Sequence, residues 1–373
     1  MKLPRHAEIW LQPYFADRAR RWWGAGAQPI RHVWVAIADH YEPFWNRADP
    51  QTARRRVDAW RKRWPPIAAR NAAGADAPRY TFFYPEEQYQ PDILESLAGM
   101  TRQGVADVEV HIHHGGQGRE DFITRIRTFC RRLEEDHGLL RRVDGRVRFG
   151  FIHGNWALDN SLPEGRYCGL NDEITLLRDL GCYADFTMPS GASPSQAQTI
   201  NTIYCCTDDP SAPKSYDRGT SVQLGKGIVG DLTIIPGPLG MRWRGRFLPR
   251  METGELAAYD PATAYRAKRW FDLAPRIGEH AFLKLYTHGA TESNLEMLLN
   301  RGLDDLFRFV REEAHRRSAR VHFVSTWEMY LAVEALSRGD QPQYSKSAAL
   351  KCEIGSSDVS ERTIFGSAAS TKP

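Results

Sequence analysis

A short apolar run that ends in histidines decides the predicted fold; it is Ala106–His114, with the sequence ADVEVHIHH. Its two valines and its isoleucine occupy even-numbered positions, whereas Glu109, His111 and His113 occupy odd-numbered positions. Because side chains alternate across a strand, the run predicts a β-strand with one apolar face toward a helix layer. The opposite face would carry an acid and two imidazoles toward the interior.

Seven further apolar runs end in polar clusters of the same kind. The residues that follow these runs are Asp39-His40, Glu86-Glu87, His153-Gly154-Asn155-Trp156, Pro189-Ser190, Pro236-Gly237, Thr287-His288-Gly289 and Ser325-Thr326-Trp327. Helical patterns separate most of the runs, at residues 51–73, 91–103, 119–137, 169–180, 263–279, 292–318 and 327–338. Alternating strands and helices with polar groups at the carboxyl ends of the strands are typical of (β/α) barrel enzymes. We therefore expect an α/β enzyme with its active site at that end.

The predicted organisation has three segments. Residues 1–30 form a helical lead-in, residues 31–338 form the barrel, and residues 339–373 form a disordered tail rich in Ser and Lys. Within the barrel, residues 190–230 break the alternation and are rich in Ser, Pro, Gly, Asp and Thr. Connections of this length in compact domains are usually lids or binding loops, so we expect this loop to border the active site.

Composition favours a globular enzyme over a nucleic-acid-binding or membrane protein. Of the 373 residues, 42% are hydrophobic and 26% are charged, and the formal net charge is only +4. The arginines are scattered over helical segments, which argues against nucleic-acid binding. No apolar run approaches the ~18 residues that a membrane-spanning helix needs. Six cysteines without a CxxC pair predict a reduced, cytoplasmic protein without a disulfide framework.

Other predicted strands also direct polar groups toward the interior. Lys284, Tyr286 and His288 share one parity, and Asp185 and Thr187 share one parity in an earlier run. Buried charges cost free energy unless they are paired or bound to a metal. Inward polar groups on several strands therefore predict one shared polar site. We expect structural roles for four of the histidines outside these clusters: His137, His280, His315 and His322.

His-x-His at a strand end is a suitable spacing for metal ligands, because both imidazoles project from the same face. His111 and His113, with Asp39 or His40 from the first strand, would supply three ligands and leave one position open for water. This set suits Zn²⁺ or a similar divalent cation in a catalytic role. A remaining carboxylate would serve as the base. The candidates for the general acid are His153 and His288.

The order of these motifs resembles the polysaccharide deacetylase superfamily. The match consists of Asp39-His40 after the first strand, the histidine cluster after the third, and Leu285-Tyr286-Thr287-His288 near the end. Residues 153–161 and 181–190 resemble a deacetylase-like branch of bacterial glycan-biosynthesis proteins. The resemblance, which covers residues 31–330, implies a distorted barrel of seven or eight mainly parallel strands. It also implies a divalent metal and the removal of N- or O-acetyl groups from glycans.

The resemblance further implies roles for single residues. Asp39 takes the position of the family's catalytic base, His40 that of a metal ligand, and His288 that of the general acid. Parity separates the first two, because Asp39 is in phase with the apolar residues of its strand and His40 is not. Residues 153–156 replace the arginine–proline motif that the family carries on its middle strand.

The second metal motif of the family differs in this chain. The family has two histidines four positions apart, whereas here His113 is followed at that spacing by Gln117. His111 or His114 would then complete the ligand set. The metal candidates are His40, His111, His113 and His114, and the catalytic candidates are Asp39, His153 and His288.

These observations predict a metal-dependent hydrolase, with zinc as the expected cofactor, that removes an acetyl group from an amino sugar in bacterial glycan biosynthesis. The candidates for substrate binding are Glu42, Glu86, Asn155, Trp156, Asp159 and Trp243. Two alternatives stay open. One is a glycoside hydrolase that uses two carboxylates, such as Asp39 with Asp159 or Glu42. The other is a catalytically silent glycan-binding protein.

Overall fold

The helices and strands alternate along most of the chain. The computed structural model describes residues 4–23, 28–73, 77–244 and 248–342, so nearly all of the predicted tail lies outside the described residues. The α-helices are α1 (Ala7–Trp23), α2 (Pro50–Arg70), α3 (Pro91–Arg102), α4 (Arg119–Arg131), α5 (Glu173–Leu180), α6 (Ala264–Leu273), α7 (Glu292–Met297), α8 (Leu303–Arg316) and α9 (Thr326–Arg338). The strands are β1 (His32–His40), β2 (Tyr80–Pro85), β3 (Ala106–Ile112), β4 (Arg141–Val143), β5 (Arg146–His153), β6 (Cys182–Asp185), β7 (Tyr204–Cys206), β8 (Thr220–Ser221), β9 (Leu232–Ile234), β10 (Gly240–Arg244), β11 (Leu248–Glu252), β12 (Arg276–Ile277), β13 (His280–Thr287) and β14 (Arg320–Phe323).

The strands form a mainly parallel sheet, which confirms the predicted α/β class. Its order is β12-β13-β1-β2-β3-β5-β6-β9-β7-β8, with β14 beside β1 and β4 beside β5. Every neighbouring pair from β13 through β9 in this order is parallel. β10 and β11 form a separate antiparallel hairpin. The carboxyl ends of β13, β1, β2, β3 and β5 therefore lie along one edge of the sheet.

The predicted barrel is not confirmed, because the strand ladder among the described residues stays open. One end of the ladder is β12, which is antiparallel to β13. The other end is β7 and β8, which come from the predicted loop 190–230 and extend β9 in the antiparallel direction. These antiparallel strands occupy the edges that would have to pair in parallel to close a barrel. The sheet still curls, since Lys284 Nζ on β13 donates to the carbonyl oxygens of Phe186 and Met188 at 2.8 and 2.6 Å.

Side-chain caps explain where several helices begin. Asp49 accepts a hydrogen bond from the Thr52 N–H at the start of α2, and Ser325 and Glu328 form a capping box at the start of α9. The helix predicted at 263–279 is shorter than expected, because the residues after α6 pair with β13 as β12. Among the helices of the described residues, none has both the length and the apolar character that crossing a membrane requires.

Alternation along β3 separates a core layer from a polar layer, in agreement with the parity of its sequence. The valines and isoleucine of β3 are fully buried in the main hydrophobic core. On the other parity, Glu109 accepts hydrogen bonds from the Gly150 N–H and the Tyr183 hydroxyl. His111 follows on that same polar face at the carboxyl end of the strand, where the candidate site lies.

Candidate metal centres and catalytic site

Four histidines meet at the carboxyl ends of β1, β3 and β13. The ring centroid of His40 lies 5.4 Å from that of His111 and 4.8 Å from that of His288. The rings of His111 and His113 are 4.7 Å apart. Histidines from distant parts of the chain therefore converge, and Glu42, directly after β1, adds a carboxylate. We call Glu42, His111 and His113 the Glu42 cluster.

The Glu42 cluster has the spacing of a metal site. Glu42 Oε1 lies 3.4 Å from His111 Nε2 and 3.7 Å from His113 Nε2. One ligand atom from each residue lies within 4.8 Å of the others. Both separations are long for hydrogen bonds. By contrast, ligand atoms around a tetrahedral Zn²⁺ with bonds of about 2.1 Å lie about 3.4 Å from one another.

The hydrogen bond of His111 directs its other ring nitrogen at Glu42. His111 Nδ1 lies 2.8 Å from the carbonyl oxygen of Ile152, which can only accept, so Nδ1 donates to it. Nε2 is buried, has no hydrogen-bond partner among the described residues and lies 3.4 Å from Glu42 Oε1. A buried ring nitrogen and a carboxylate oxygen are suitable ligands for one cation between them. The donor set of the cluster therefore fits a divalent cation.

Glu87, at the end of β2, orients His113. Its Oε1 lies 2.5 Å from His113 Nδ1, and its Oε2 accepts the backbone N–H of His113 at 3.2 Å. Burial alone would lower the pKa of His113, but Glu87 and then Glu42 raise it above its usual value. A carboxylate on the far nitrogen of a histidine is a common outer partner in metal sites. A Cβ at Gly154 would lie 2.3 Å from His113 Cδ2, so only glycine leaves room for the ring.

His40 and His288 border the Glu42 cluster as uncharged imidazoles. Burial lowers the pKa of His40 well below its usual value, and His288 and His111 lower it further. Burial also lowers the pKa of His288, although Glu42 opposes the effect. Neutral imidazoles can bind a metal or accept a proton. Beside them, the Trp45 side chain is 46% exposed, and its ring lies 6.1 Å from that of His288.

Asp39 lies on the other face of β1, and the structure does not bring it into the Glu42 cluster. Its Oδ1 accepts the Gly289 N–H at 2.7 Å and its Oδ2 accepts the Tyr80 hydroxyl at 2.9 Å. Burial raises the pKa of Asp39 to about 8. Strand alternation explains why Asp39 lies outside the cluster. Because His40 points to the interior face of β1, the preceding residue Asp39 points to the opposite face, toward α2. Asp39 therefore holds the turn that carries His288.

A second cluster lies on the other side of the loop that follows β3. It consists of His114, His153, Cys168 and Glu173, which are all buried and place one ligand atom each within 4.8 Å of the others. His114 Nε2 lies 2.8 Å from Glu173 Oε1 and 2.9 Å from His153 Nε2. Cys168 Sγ lies 3.4 Å from Glu173 Oε2. We call these four residues the Glu173 cluster.

The predicted metal and catalytic residues are thus divided between two places. His114 does not join His111 and His113, because the consecutive side chains of His113 and His114 turn to opposite sides of the loop. His153, a candidate for the general acid, lies with His114. Burial alone would raise the pKa of Glu173, but the two imidazoles beside it lower that pKa strongly. The Glu173 cluster therefore holds an ionised carboxylate in a dry environment.

The predicted substrate-binding residues are spread over several elements. Glu86 pairs with Arg125 of α4, whereas the adjacent Glu87 contacts His113 of the Glu42 cluster. Asn155 and Trp156 form a short helical turn directly after β5, and both have positive φ. Trp243 is 55% exposed on the hairpin of β10 and β11. Of the six candidates, Glu42 alone has its side chain among the imidazoles described above.

Asp159 organises a loop instead of facing a ligand. Its Oδ2 accepts the Ser215 N–H at 2.6 Å, and its carbonyl oxygen accepts the Lys214 N–H at 2.7 Å. Burial raises the pKa of Asp159 to about 8. The residue therefore ties the stretch 190–230 to the segment that follows β5.

Two residues of the clusters, Cys168 and Glu173, were not among the sequence candidates, and neither was Glu87, which contacts His113 from outside the Glu42 cluster. Glu87 is adjacent to the candidate Glu86, and alternation along β2 is the signal that separates them. Cys168 lies in an irregular connection, and Glu173 is the first residue of α5. Neither follows an apolar strand run, so strand-end reasoning does not select them.

Comparisons of the chain with models of protein families, with curated proteins and with solved structures found no match. The resemblance to polysaccharide deacetylases therefore stays a prediction from the motifs. The geometry supplies two groups of metal-ligating side chains and, beside one of them, an imidazole next to an exposed indole. Such a site can polarise a carbonyl group and move protons, which is the chemistry of a hydrolase.

Proposed function

We propose that the protein is a metal-dependent hydrolase that removes an acetyl group from an amino sugar in bacterial glycan biosynthesis. The observation that carries the proposal is the Glu42 cluster, in which the buried His111 Nε2 has no hydrogen-bond partner among the described residues and faces a carboxylate. Three protein ligands leave one coordination position for water or substrate, which is the arrangement of catalytic zinc. The side chain of His113 is 30% exposed, so this position is accessible to a substrate.

The residues around the cluster have complementary roles in this proposal. A bound Zn²⁺ would supply Lewis acidity at the acetyl carbonyl group and lower the pKa of water beside it. His288 would carry the proton from that water to the departing nitrogen, because burial lowers the pKa of its ring and the ring lies 4.8 Å from that of His40 at the border of the cluster. Asp39 would act through the Gly289 amide as a positioning residue. Glu87 would keep the His113 ring in place.

The substrate class follows from the surface beside His288. Trp45 presents an exposed indole next to that imidazole, and a flat apolar ring is suited to the face of a sugar. Trp156 and Trp243 remain candidates for contacts with more distant parts of a glycan. A cytoplasmic location, which the cysteine usage predicts, would favour activated precursors over finished polymer as substrates.

A glycoside hydrolase is the weaker alternative. It would need two carboxylates on either side of a glycosidic bond, but Asp39 and Asp159 both accept backbone N–H groups in buried places. The remaining candidate, Glu42, is surrounded by imidazoles. The second alternative, a silent glycan-binding protein, shares the site with the hydrolase and differs only in turnover.

Product analysis tests the proposal. The purified protein would be supplied with Zn²⁺ and with N-acetylated amino sugars that are nucleotide-linked or lipid-linked. We expect release of acetate by the native protein and none by His113→Ala, which should also lose its metal at the Glu42 cluster. A new reducing end would indicate a glycosidase. Bound sugar without turnover under any divalent metal would indicate a binding protein.

A further inference from the structure

We propose that the Glu173 cluster is a structural binding site for a transition-metal ion such as Zn²⁺, with His114, His153, Cys168 and Glu173 as its four ligands. The ligands come from four segments: the loop after β3, the end of β5, the connection between β5 and α5, and the first turn of α5. This ion would be separate from the one at the Glu42 cluster. Its binding does not depend on hydrolase activity.

The ligand atoms of the cluster converge on one point. His153 Nδ1 lies 2.6 Å from the carbonyl oxygen of Gly154, which can only accept, so Nδ1 donates to it and Nε2 is the nitrogen that faces the cluster. His153 Nε2 lies 2.9 Å from His114 Nε2 and 3.4 Å from Glu173 Oε1. All three atoms are of the kinds that bind transition-metal ions. A single cation between them would be bound by all three.

The spacing and the chemistry of the ligands agree with zinc. The three contacts among His114, His153 and Glu173 are 2.8, 2.9 and 3.4 Å, and small displacements would bring them to the separation of about 3.4 Å in a tetrahedral site. The fourth ligand, Cys168, would lose its proton to solvent on binding. A thiolate with imidazole selects zinc-like ions over Ca²⁺ and Mg²⁺.

Outer contacts hold the ligands in the orientation that a metal needs. The Asp159 N–H donates to Glu173 Oε2 at 2.6 Å, which leaves Oε1 toward the imidazoles. The Gly154 carbonyl fixes the ring of His153 in the same way. Such outer partners are characteristic of metal sites and set the tautomer and the orientation of the ligands.

Complete burial makes the site structural. The side chains of His114, His153 and Glu173 are 3%, 0% and 0% exposed, and Cys168 is buried beside them. Four protein ligands leave no position for a substrate, which distinguishes a structural zinc site from a catalytic one. The Glu42 cluster has only three ligands and a partly exposed histidine, which is the arrangement of a catalytic site.

The ion would hold together the loop after β3, which carries His113, and the segments between β5 and α5. The loop after β3 already lies against the connection that carries Cys168, since a Cβ at Gly115 would lie 2.9 Å from Tyr167 Cα and the Gly116 N–H donates to the Cys168 carbonyl oxygen at 3.3 Å. A metal bond to His114 would fix the residue next to His113. Loss of this ion should therefore lower stability first and affect the Glu42 cluster only indirectly.

Cobalt substitution tests the proposal with a signal that the Glu42 cluster cannot give. A cysteine thiolate bound to Co²⁺ produces a charge-transfer band in the near ultraviolet, and the Glu42 cluster contains no cysteine. We expect this band in the native protein and in Cys130→Ser, a matched control because Cys130 is also buried but lies in α4 outside both clusters. We expect Cys168→Ser to lose the band, to bind one metal ion fewer and to melt at a lower temperature.

The outcomes separate this site from the proposed activity. His113→Ala should keep the thiolate band while it loses acetate release. If Cys168→Ser does not fold, the spectra of the native protein and Cys130→Ser decide alone. A folded, cobalt-saturated native protein without the thiolate band would overturn the proposal, whether or not the protein releases acetate.

Discussion

Two groups of histidines lie at opposite ends of the same strands. β1 begins with His32 and ends with His40, while β13 begins with His280 and is followed by His288. His322 of β14 joins the amino-end group, and its Nε2 lies 3.0 Å from His32 Nδ1. The carboxyl-end histidines surround the Glu42 cluster. The two groups thus have similar composition and burial but different surroundings.

The difference is in what faces the rings. At the amino end, the rings of His32 and His280 stack with centroids 4.6 Å apart, and the Trp34 indole N–H donates to His280 Nδ1 at 3.0 Å. The metal-ligating groups found among the described residues do not include this end. At the carboxyl end, Glu42 Oε1 faces the Nε2 atoms of His111 and His113 at 3.4 and 3.7 Å. A histidine group therefore indicates a metal site when a carboxylate and several ring nitrogens converge, and a packing cluster when the rings stack on one another.

Removing one imidazole from each end gives the largest expected contrast. His111→Ala should no longer bind metal at the Glu42 cluster, and its acetate release should fall to background. The reason is that only two of the three protein ligands would remain to hold the ion. His280→Ala should keep both properties and lose only stability. Metal content and acetate release of the two variants provide the measurement. Equal metal content in the two variants would show that the two ends do not differ in metal binding.

Glu87→Gln should weaken the carboxyl-end site without destroying it. Loss of an outer carboxylate partner typically costs about 10- to 100-fold in metal affinity or activity, and we expect a loss in that range in a zinc competition titration. Glu86→Gln is the matched control, since Glu86 pairs with Arg125 and not with His113. An effect of the same size in both variants would show that charge on this turn, and not the bond to His113, is responsible.

Acid should destabilise the protein through the amino-end histidines. Burial lowers the pKa of His280 to about 4 and that of His322 to about 3. Below the usual pKa of about 6.5, these histidines bind protons in the unfolded chain but stay neutral in the folded protein. The free energy of unfolding is therefore highest above that pH and falls as the pH approaches the pKa values of the folded state. The limit is about 1.4 kcal/mol per pH unit for each histidine. Urea unfolding between pH 7 and pH 4 should show a shallower acid slope for His322→Phe than for the native protein. Identical slopes would contradict this assignment.

Trp34→Phe should have the smallest effect. It removes the N–H that donates to His280 while it keeps most of the ring stacking. We expect a loss of about 1 kcal/mol in the free energy of unfolding, with unchanged metal content. A loss of metal in this variant would mean that the two ends are coupled.

Strand parity predicted most of the site, because the period of two is written directly in the sequence. It placed His111 and His113 on the interior face of β3 and Asp39 in phase with the apolar residues of β1. The structure follows that parity. The family resemblance had assigned Asp39 to the base position, whereas the side chain points toward α2 and bonds to Gly289 and Tyr80.

Features that depend on lateral neighbours were not predictable in the same way. β7 and β8 have only three and two residues within a polar stretch, which is too short for a recognisable strand pattern, so the open sheet could not be foreseen. The Glu173 cluster joins Cys168 from an irregular connection with the first residue of α5. Only the folded chain brings these two beside His114 and His153.

Anomalous X-ray diffraction at the zinc edge, from crystals grown with saturating Zn²⁺, tests the central claim most directly. We predict a peak about 2.0–2.2 Å from Glu42 Oε1, His111 Nε2 and His113 Nε2. Ordered side chains at these three residues with no anomalous peak between them would contradict the claim that the carboxyl-end histidines form a metal centre.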